Sequence, residues 1–518
     1  SDENVTNLFP LGAIDKYSTR IASQIFEGLL KIDGSTLELL PAIAESFTVN
    51  ADGDKYTFTI RKDVYFHKDD CFSDGTRLLT ADDVKFALDF ACSGSSLVIP
   101  DFSFIDQVKG GRDYYSNGGK SSQGVEGINV KGNVVEISLE QPFIGFENVV
   151  AKSSFKIFPK EALDRYGNNI IKHPVGTGPF CLKEWTDERL LLGRHEAYWR
   201  KDSDGNQLPY LSQIEMTYQR DKKQEILAFR NKEIDLMFEI STEEIDHLLG
   251  SLQEAKEGKN IKHKVESASV LGIEYIGFNN AVAPFDNLFV RQAIALALNH
   301  EDIIIDHLDG DGLTPDNGFV PYFSEFENAT QIPVTNVEKA KELLIKAGYN
   351  AQHPFPKQTF YVTGEEGSKN YKIAQAVKEQ LRNNLNIEIA VKVVTYQERV
   401  EAVKSGVALM WKAGWIGESP SPLDFLSPFL SSKGQKNDFN FVSSPFNAAI
   451  QNAWNERDVF KRRSSLLEAQ NILANECPVV PLLRDNMIIM LNVRLRGVVA
   501  SQLDMIDFTE VYIKEPRD

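Results

Sequence analysis

Apolar positions recur along the chain with two periods. Tyr56, Phe58 and Ile60 alternate with polar neighbours, as do Val135, Ile137 and Leu139, and later Ile387, Ile389, Val391 and Val393. Period two predicts strands with one buried face. Between them the spacing changes to that of a helix. Val84, Ala87, Leu88 and Ala91 fall at i, i+3, i+4 and i+7 behind Thr80-Ala81-Asp82-Asp83, which reads as a capping box. Ala340, Leu343, Leu344 and Ala347 repeat the spacing, opened by Thr335-Asn336-Val337-Glu338 and closed by Gly348. A third helix carries Ile373, Val377 and Leu381 and runs into the strand at 387–393. Strands and helices mixed throughout with short connections predict α/β construction. Loops are expected where Gly, Ser, Asp and Pro gather: Gly110 to Gly127, Lys201–Pro209, Asp306–Pro321 and Ser431–Pro445. No repeat of fixed period is evident, which disfavours solenoids and propellers.

The 518 residues amount to about three domain-sized units. A hydrophobic content of 42% with 25% charged residues is ordinary globular composition. Acidic residues outnumber basic ones, 74 to 56, for a net charge of −18. That field repels phosphate backbones and anionic lipid, so nucleic-acid or membrane-surface binding is not expected as the main task. The longest apolar runs, such as Met487–Leu491, fall far short of the roughly 20 residues of a transmembrane helix. Ser1-Asp2-Glu3-Asn4 is acidic and polar, so no signal peptide is visible, and an export segment removed from the start is the expectation. Four cysteines are too few for a disulfide scaffold and none forms C-x-x-C; Cys71 and Cys92 are close enough in sequence for one optional bridge.

A search for catalytic chemistry finds little. H-E-x-x-H, G-x-S-x-G, the Walker loop and G-x-G-x-x-G are all missing from the sequence. Gly176-Thr177-Gly178-Pro179 is glycine-rich, but Pro179 lacks the backbone donor that a phosphate cradle uses, so the motif reads as a tight turn. Asp202-Ser203-Asp204-Gly205-Asn206 imitates the opening of a calcium loop, yet Gln207 stands at the sixth position and Gln213 at the twelfth, and it reads as a solvated turn. The eight histidines are scattered; His300 and His307 are seven apart with nothing nearby to complete a metal site. Paired carboxylates of a hydrolase stay open, because their separation is a three-dimensional fact.

Nine further segments carry a resemblance, in order, over some 450 residues. They are Ile25–Leu29; Leu40–Ser46; Tyr56–Val64 with Phe66-His67; Leu79–Phe86; Pro174–Phe180; Gly277–Asn279; Val290–Asn299; Ala340–Leu344 ending in Ala347-Gly348-Tyr349; and Gly414–Gly417 followed by Cys477–Leu482. In these the chain resembles the family 5 extracellular solute-binding proteins of ABC importers, of the oligopeptide, dipeptide and nickel-binding type. The resemblance implies a two-lobed periplasmic-binding-protein-like clamp with the ligand between the lobes. It implies a discontinuous first lobe, 1–268 plus 482–518, with a subdomain of about 50–170 inserted, and a second lobe, 269–481. It further implies a non-enzymatic receptor that captures extracytoplasmic peptides and hands them to a membrane permease, as a monomer, with no cofactor and no nucleic acid. The implied residence is the periplasm or the outer face of the cytoplasmic membrane, with a lipid anchor open. Ligand contacts on both lobes would favour the closed form by population shift.

Peptide-binding members hold an extended ligand by main-chain hydrogen bonds, as an added strand. The resemblance therefore points to Gly414, Trp415 and Ile416, with Trp415 as a wall of the site. Where peptide-binding relatives carry an Asp that pairs with the ligand's α-amine, this chain has Glu418, one methylene longer; its alternative role is that of a surface glutamate. On the other lobe Ile14-Asp15-Lys16-Tyr17 aligns with the stretch that pairs with the ligand backbone. Phe238, Glu239 and Tyr275 fall where relatives expose site residues. One departure stands out. Dipeptide-specific relatives carry an Arg just ahead of the helix that begins near Lys369, and here Thr363–Ser368 holds Glu365-Glu366 instead. An acidic pair repels a carboxylate, so oligopeptides, or a cationic ligand, fit better than strict dipeptides. An oligosaccharide, a nickel chelate or a signalling peptide are the other ligand classes open, and a carboxylate-dependent hydrolase is the rival outside the class.

Overall fold

A computed structural model of the chain describes residues 5–13, 15–218, 222–238, 240, 263–321, 334–431 and 437–514. Two sequence candidates, Ile14 and Glu239, lie outside the described residues. The chain divides into two compact units: Ser1–Ile240 with Leu248–Ala268 and Met487–Asp518, and Ser241–His247 with Ser269–Asn486.

In the first unit, α1 (Lys16–Ile25) precedes a four-stranded antiparallel sheet. Its strands are β1 (Ala44–Val49), β2 (Lys55–Ile60), β3 (Ile128–Lys131) and β4 (Val134–Ser138), in the order β1-β2-β4-β3. The period-two reading holds: Tyr56, Phe58 and Ile60 are buried and the residues between them only partly so. The helix α2 (Ala81–Ala91) buries Val84, Ala87, Leu88 and Ala91. At its start the Asp83 carboxylate accepts from the Thr80 N–H at 2.8 Å, as the capping pattern predicts. A second antiparallel sheet comprises β5 (Phe180–Trp185), β6 (Arg189–Arg194) and β7 (Gln213–Thr217). The strands β8 (Leu236–Phe238) and β9 (His263–Ser269) flank the returning chain in a third sheet.

The glycine-rich turn before β5 is a packing device. A Cβ on Gly176 would lie 2.1 Å from the carbonyl oxygen of Ile25, and one on Gly178 would lie 2.6 Å from that of Gln24. Only glycine allows the turn to lie this close to the end of α1. Between the glycines, Thr177 donates to Glu27 at 3.0 Å, and Tyr198 and Trp199 donate to the same carboxylate at 2.9 and 3.1 Å. The segment 202–206 is the expected turn: the Asp202 carboxylate accepts from the backbone N–H groups of Asp204 and Asn206. The region Gly110–Gly127 differs from the expected loop, because Gly111–Ser116 is helical. Gly110 supplies a left-handed entry, φ 72°, and Gly111 lies so close to the Ile105 carbonyl that a Cβ would approach it to 2.4 Å. Cys71 and Cys92 are unbonded, as are Cys181 and Cys477.

In the second unit, β10 (Gly272–Phe278) is followed by α3 (Leu288–Ala297) and α4 (Val337–Lys346). Next come β11 (Gln358–Thr363), α5 (Lys369–Leu385), β12 (Ile389–Val394) and α6 (Tyr396–Lys404). The last strands are β13 (Met410–Ile416) and β14 (Val479–Leu483), in a mixed sheet of order β12-β11-β13-β10-β14. Asn336 caps α4 by accepting from the Lys339 N–H at 2.9 Å, and Gly348 leaves it at φ 97°. The core lies on one face of this sheet, where Ile276, Phe278, Phe360, Val362 and Met410 meet Val290 and Ile294 of α3 and Ile373, Val377 and Leu381 of α5. Strand β15 (Asn486–Asn492) returns the chain to the first unit, in the sheet order β8-β15-β9.

Candidate ligand-binding site

The candidates of the first unit gather at the start of α1. The Asp15 carboxylate is its N-cap, accepting from the Ser18 N–H at 2.7 Å, so an α-helix begins there for an ordinary local reason. Lys16 is exposed, with its ammonium 5.1 Å from the centre of the Tyr17 ring. One turn on, the buried Arg20 guanidinium lies 5.7 Å from the Tyr17 ring and 4.7 Å from the Phe238 ring. Arg20 is held by Asp504, donating to its carboxylate at 2.6 Å and to its carbonyl at 2.9 Å. Tyr17 and Phe238, more than 200 residues apart in sequence, thus share one guanidinium. No motif around Arg20 announces this, because the partner that fixes it comes from the far end of the chain.

The candidates of the second unit line the end of β13. This strand pairs with β10 along its whole length, Gly414 facing Glu274 and Trp415 facing Ile273. It pairs with β11 only at Met410 and Trp411. Beyond that point the ladder to β11 stops, and Lys412–Ile416 keep one edge outside the described pairings. Gly414 and Ile416 are exposed there and Trp415 is half-buried. Asn370, from the start of α5, donates to the Thr363 carbonyl at 3.1 Å and accepts from the Lys412 ammonium, so it links the two strands through side chains and leaves the β13 main chain untouched. Lys412 is also ion-paired with Glu274; the side chains are 4% and 17% exposed. Desolvation drives the Glu274 carboxyl above its usual range, more than the Lys412 charge pulls it down. Gly414 fits beside this pair only because it lacks a Cβ, which would stand 2.6 Å from Glu274 Oε1.

Glu418 sits half-buried in a turn that Asp424 organises, with the Asp424 carboxylate accepting from the N–H of Glu418 at 2.6 Å and of Ser419 at 3.2 Å. Asp424 was not singled out by its sequence, since a Pro-Leu-Asp triplet is common at a helix start. The segment ahead of α5, where the resemblance leads one to expect an Arg, holds Glu365 and Glu366. Lys369 opens α5, but its ammonium is taken by Asp311 at 2.9 Å and Asp485 at 2.8 Å. Two carboxylates hold it protonated, its pKa raised by their charge against burial. Tyr275 is 6% exposed and packs on the face of the sheet away from α5, against Phe319 at 5.4 Å and Phe439 at 6.0 Å. Burial pushes its phenol up. Trp411 and Phe439 stack at 5.9 Å on that same face. Gly277 allows this, since a Cβ would come within 2.5 Å of the Trp411 ring.

Among the described residues no group of His, Cys, Asp and Glu could hold a metal ion, and no helix is long and apolar enough to cross a membrane. A strand edge, a half-buried tryptophan, a buried ion pair and the Glu418 turn lie together at the end of β13.

Residues 38–437 match the family described as "Bacterial extracellular solute-binding proteins, family 5 Middle". The dipeptide-binding protein DppE of Bacillus subtilis is 26% identical, over 98% of this chain and 90% of its own length. Heme-binding protein A of Haemophilus influenzae is also 26% identical, over 93% and 85%. Among solved structures, the periplasmic binding protein DppA of Helicobacter pylori, in complex with the peptide STSA, superposes with a TM-score of 0.82 at 24% identity, covering 98% of this chain and 96% of that one. These matches show a periplasmic-binding-protein fold in a family of substrate-binding proteins rather than enzymes. The chain belongs to the bacterial extracellular solute-binding proteins, family 5.

Proposed function

We propose that this chain is the peptide receptor of an ABC importer, taking an extended oligopeptide by strand addition to the edge of β13. The observation that carries the reading is the early end of the β11–β13 ladder, which leaves Lys412–Ile416 with main-chain groups directed away from β10. Main-chain pairing supplies affinity that does not depend on ligand sequence, while side-chain surroundings supply selectivity. Trp415 offers a rigid apolar wall with one polar atom. Glu418, at the end of the same edge, is the counter-charge for the ligand's α-amine. Lys369 is already neutralised by Asp311 and Asp485, which supports oligopeptides over strict dipeptides. Glu418, Trp415, Gly414 and Ile416 carry the second unit's contribution; Asp15, Lys16, Tyr17, Phe238 and Tyr275 are the remaining contact candidates. Delivery to a membrane permease, action as a monomer and residence outside the cytoplasmic membrane follow from the same reading.

The test is calorimetric titration of ligand-stripped protein with peptides of two to six residues, each also prepared with single backbone N-methyl groups. Binding that N-methylation abolishes at alternate positions supports strand addition, because alternate N–H groups face the added edge. Binding of a sugar or a chelate with no binding of any peptide overturns the reading.

A further inference from the structure

Three arginines of the described residues have side chains almost wholly withdrawn from water: Arg20, Arg291 and Arg484. Two are satisfied. Arg20 is paired with Asp504, and Arg291 donates to the carbonyls of Phe285, Glu476 and Cys477. Arg484 is different. It is 8% exposed, and its one side-chain hydrogen bond among the described residues runs from Nη2 to the Val320 carbonyl at 3.2 Å. Its Nε–H is buried without a partner. No described carboxylate is within ion-pair distance; Asp316, the one whose charge acts on it, is exposed. Burial accordingly pulls its pKa down to about 10. Its backbone is firmly placed by a two-way bridge to Leu313, both bonds 2.9 Å.

The position of Arg484 in the sheet gives this meaning. Leu483 lies opposite Glu274 and belongs to the core on the face that α5 covers. Just past the strand, Asp485 also turns to the α5 side, accepting from Lys369 at 2.8 Å, so Arg484 between Leu483 and Asp485 turns to the other face. The contact with Val320 agrees, since the adjoining Phe319 ring packs on Tyr275 from that face. Trp415, opposite Ile273 two positions from the Tyr275–Ala413 pair, is on it as well. Trp415 Nε1 is a second buried donor without a partner. One face at one end of one sheet thus holds two withdrawn N–H donors, one of them cationic, with acceptors missing for both. Buried polar groups are nearly always paired, and a buried guanidinium without a counter-charge is strongly disfavoured. A planar guanidinium is matched two-fold by a carboxylate.

We infer that Arg484 is the receptor for a ligand carboxylate, on the same face as Trp415. The inference rests on the peptide reading above and adds to it the end or side chain that must be acidic. The carboxylate has two sources, the peptide's C-terminus or an Asp or Glu side chain, and the experiment separates them.

Ligand-stripped wild-type protein, Arg484→Met and Arg484→Lys are titrated with three peptides of one length: a neutral-side-chain peptide with a free C-terminus, its C-terminal amide, and the amide carrying one Glu. Wild type binds at least tenfold tighter to the free acid than to the amide if the C-terminus is the source. It binds at least tenfold tighter to the Glu amide if a side chain is. In Arg484→Met all three bind as the neutral amide does, while Arg484→Lys keeps part of the preference. Equal binding of the three by wild type, or a preference that survives Arg484→Met, overturns the assignment and leaves the peptide reading standing. Failure of wild type to bind any of the three overturns both. A second readout separates function from structure: ligand-stripped Arg484→Met melts at a higher temperature than wild type if the guanidinium awaits a ligand, and a lower melting temperature shows that Arg484 serves the fold instead.

Discussion

Replacing Lys412 with Met tests the electrostatics under the β13 edge. Lys412 is among the most buried charges of the second unit, and its partner Glu274 is only slightly more accessible. Methionine fills the lysine stem's volume, so little packing is lost, but Glu274 is left as an unpaired charge. Removing one partner of a buried ion pair costs about 3–5 kcal/mol. Glu274 has an escape, since its carboxyl is already raised by desolvation and loses the lysine that opposes the shift. It takes up a proton on folding, and the linkage sign follows. A carboxyl whose folded pKa lies above its unfolded value binds more protons folded than unfolded, so stability falls as pH rises through the interval between the two. The deficit of Lys412→Met is therefore small near pH 5 and grows by up to about 1.4 kcal/mol per pH unit above that. Adding Glu274→Gln removes the charge and recovers most of the loss. The assay is urea unfolding followed by tryptophan fluorescence, for which Trp411 and Trp415 report on this sheet, at pH 5 and pH 8 for the four members of the cycle. A loss below 1 kcal/mol at pH 8, a loss equal at both pH values, or no recovery in the double variant refutes the reasoning.

Three further predictions concern other parts of the chain. His67 and His195 stand 4.7 Å apart, both ring nitrogens facing the Gly178 carbonyl, with Lys183 adding positive charge and Glu196 countering it at His195. Burial lowers both, His67 to about 3, so stability is full above the unfolded value and is lost as pH falls below about 6.5, by up to 1.4 kcal/mol per unit for each histidine. The urea midpoint should fall between pH 7 and pH 5, and His195→Asn should flatten that slope. Gly176→Ala places a methyl 2.1 Å from the Ile25 carbonyl, a backbone clash expected to cost about 3 kcal/mol, the upper end for overpacking; calorimetry should show a fall in melting temperature of several degrees or loss of folded protein. Glu418→Gln should weaken peptides with a free α-amine by about 2–5 kcal/mol and leave N-acetylated ones nearly unchanged, read by titration; equal losses for both would make Glu418 a structural residue.

Local structure was largely legible in the sequence, because its causes are local. The Thr80–Asp83 cap, the buried triplet Tyr56, Phe58 and Ile60, and the Gly176–Gly178 turn each follow from residues within a few positions of one another. The helix at Gly111–Ser116 was not, since six glycines in eighteen residues read as a loop until the close packing on Ile105 is seen. The site was legible only by resemblance to a family. Gly414–Glu418 mark the edge, but nothing in them says that β11 parts from β13 after Trp411, a property of the pairing between distant segments. The Tyr17–Arg20–Phe238 stack, the Glu274–Lys412 pair and the unsatisfied Arg484 all join residues more than a hundred positions apart, or rest on a partner that is missing. Periodicity carries no information about either.

The most direct test of the central claim is native mass spectrometry of the protein as purified, followed by mild denaturation to release and weigh whatever it carries. The account predicts a ladder of masses that sequence as peptides of several residues. A single non-peptide mass, a sugar or a chelate, would contradict it.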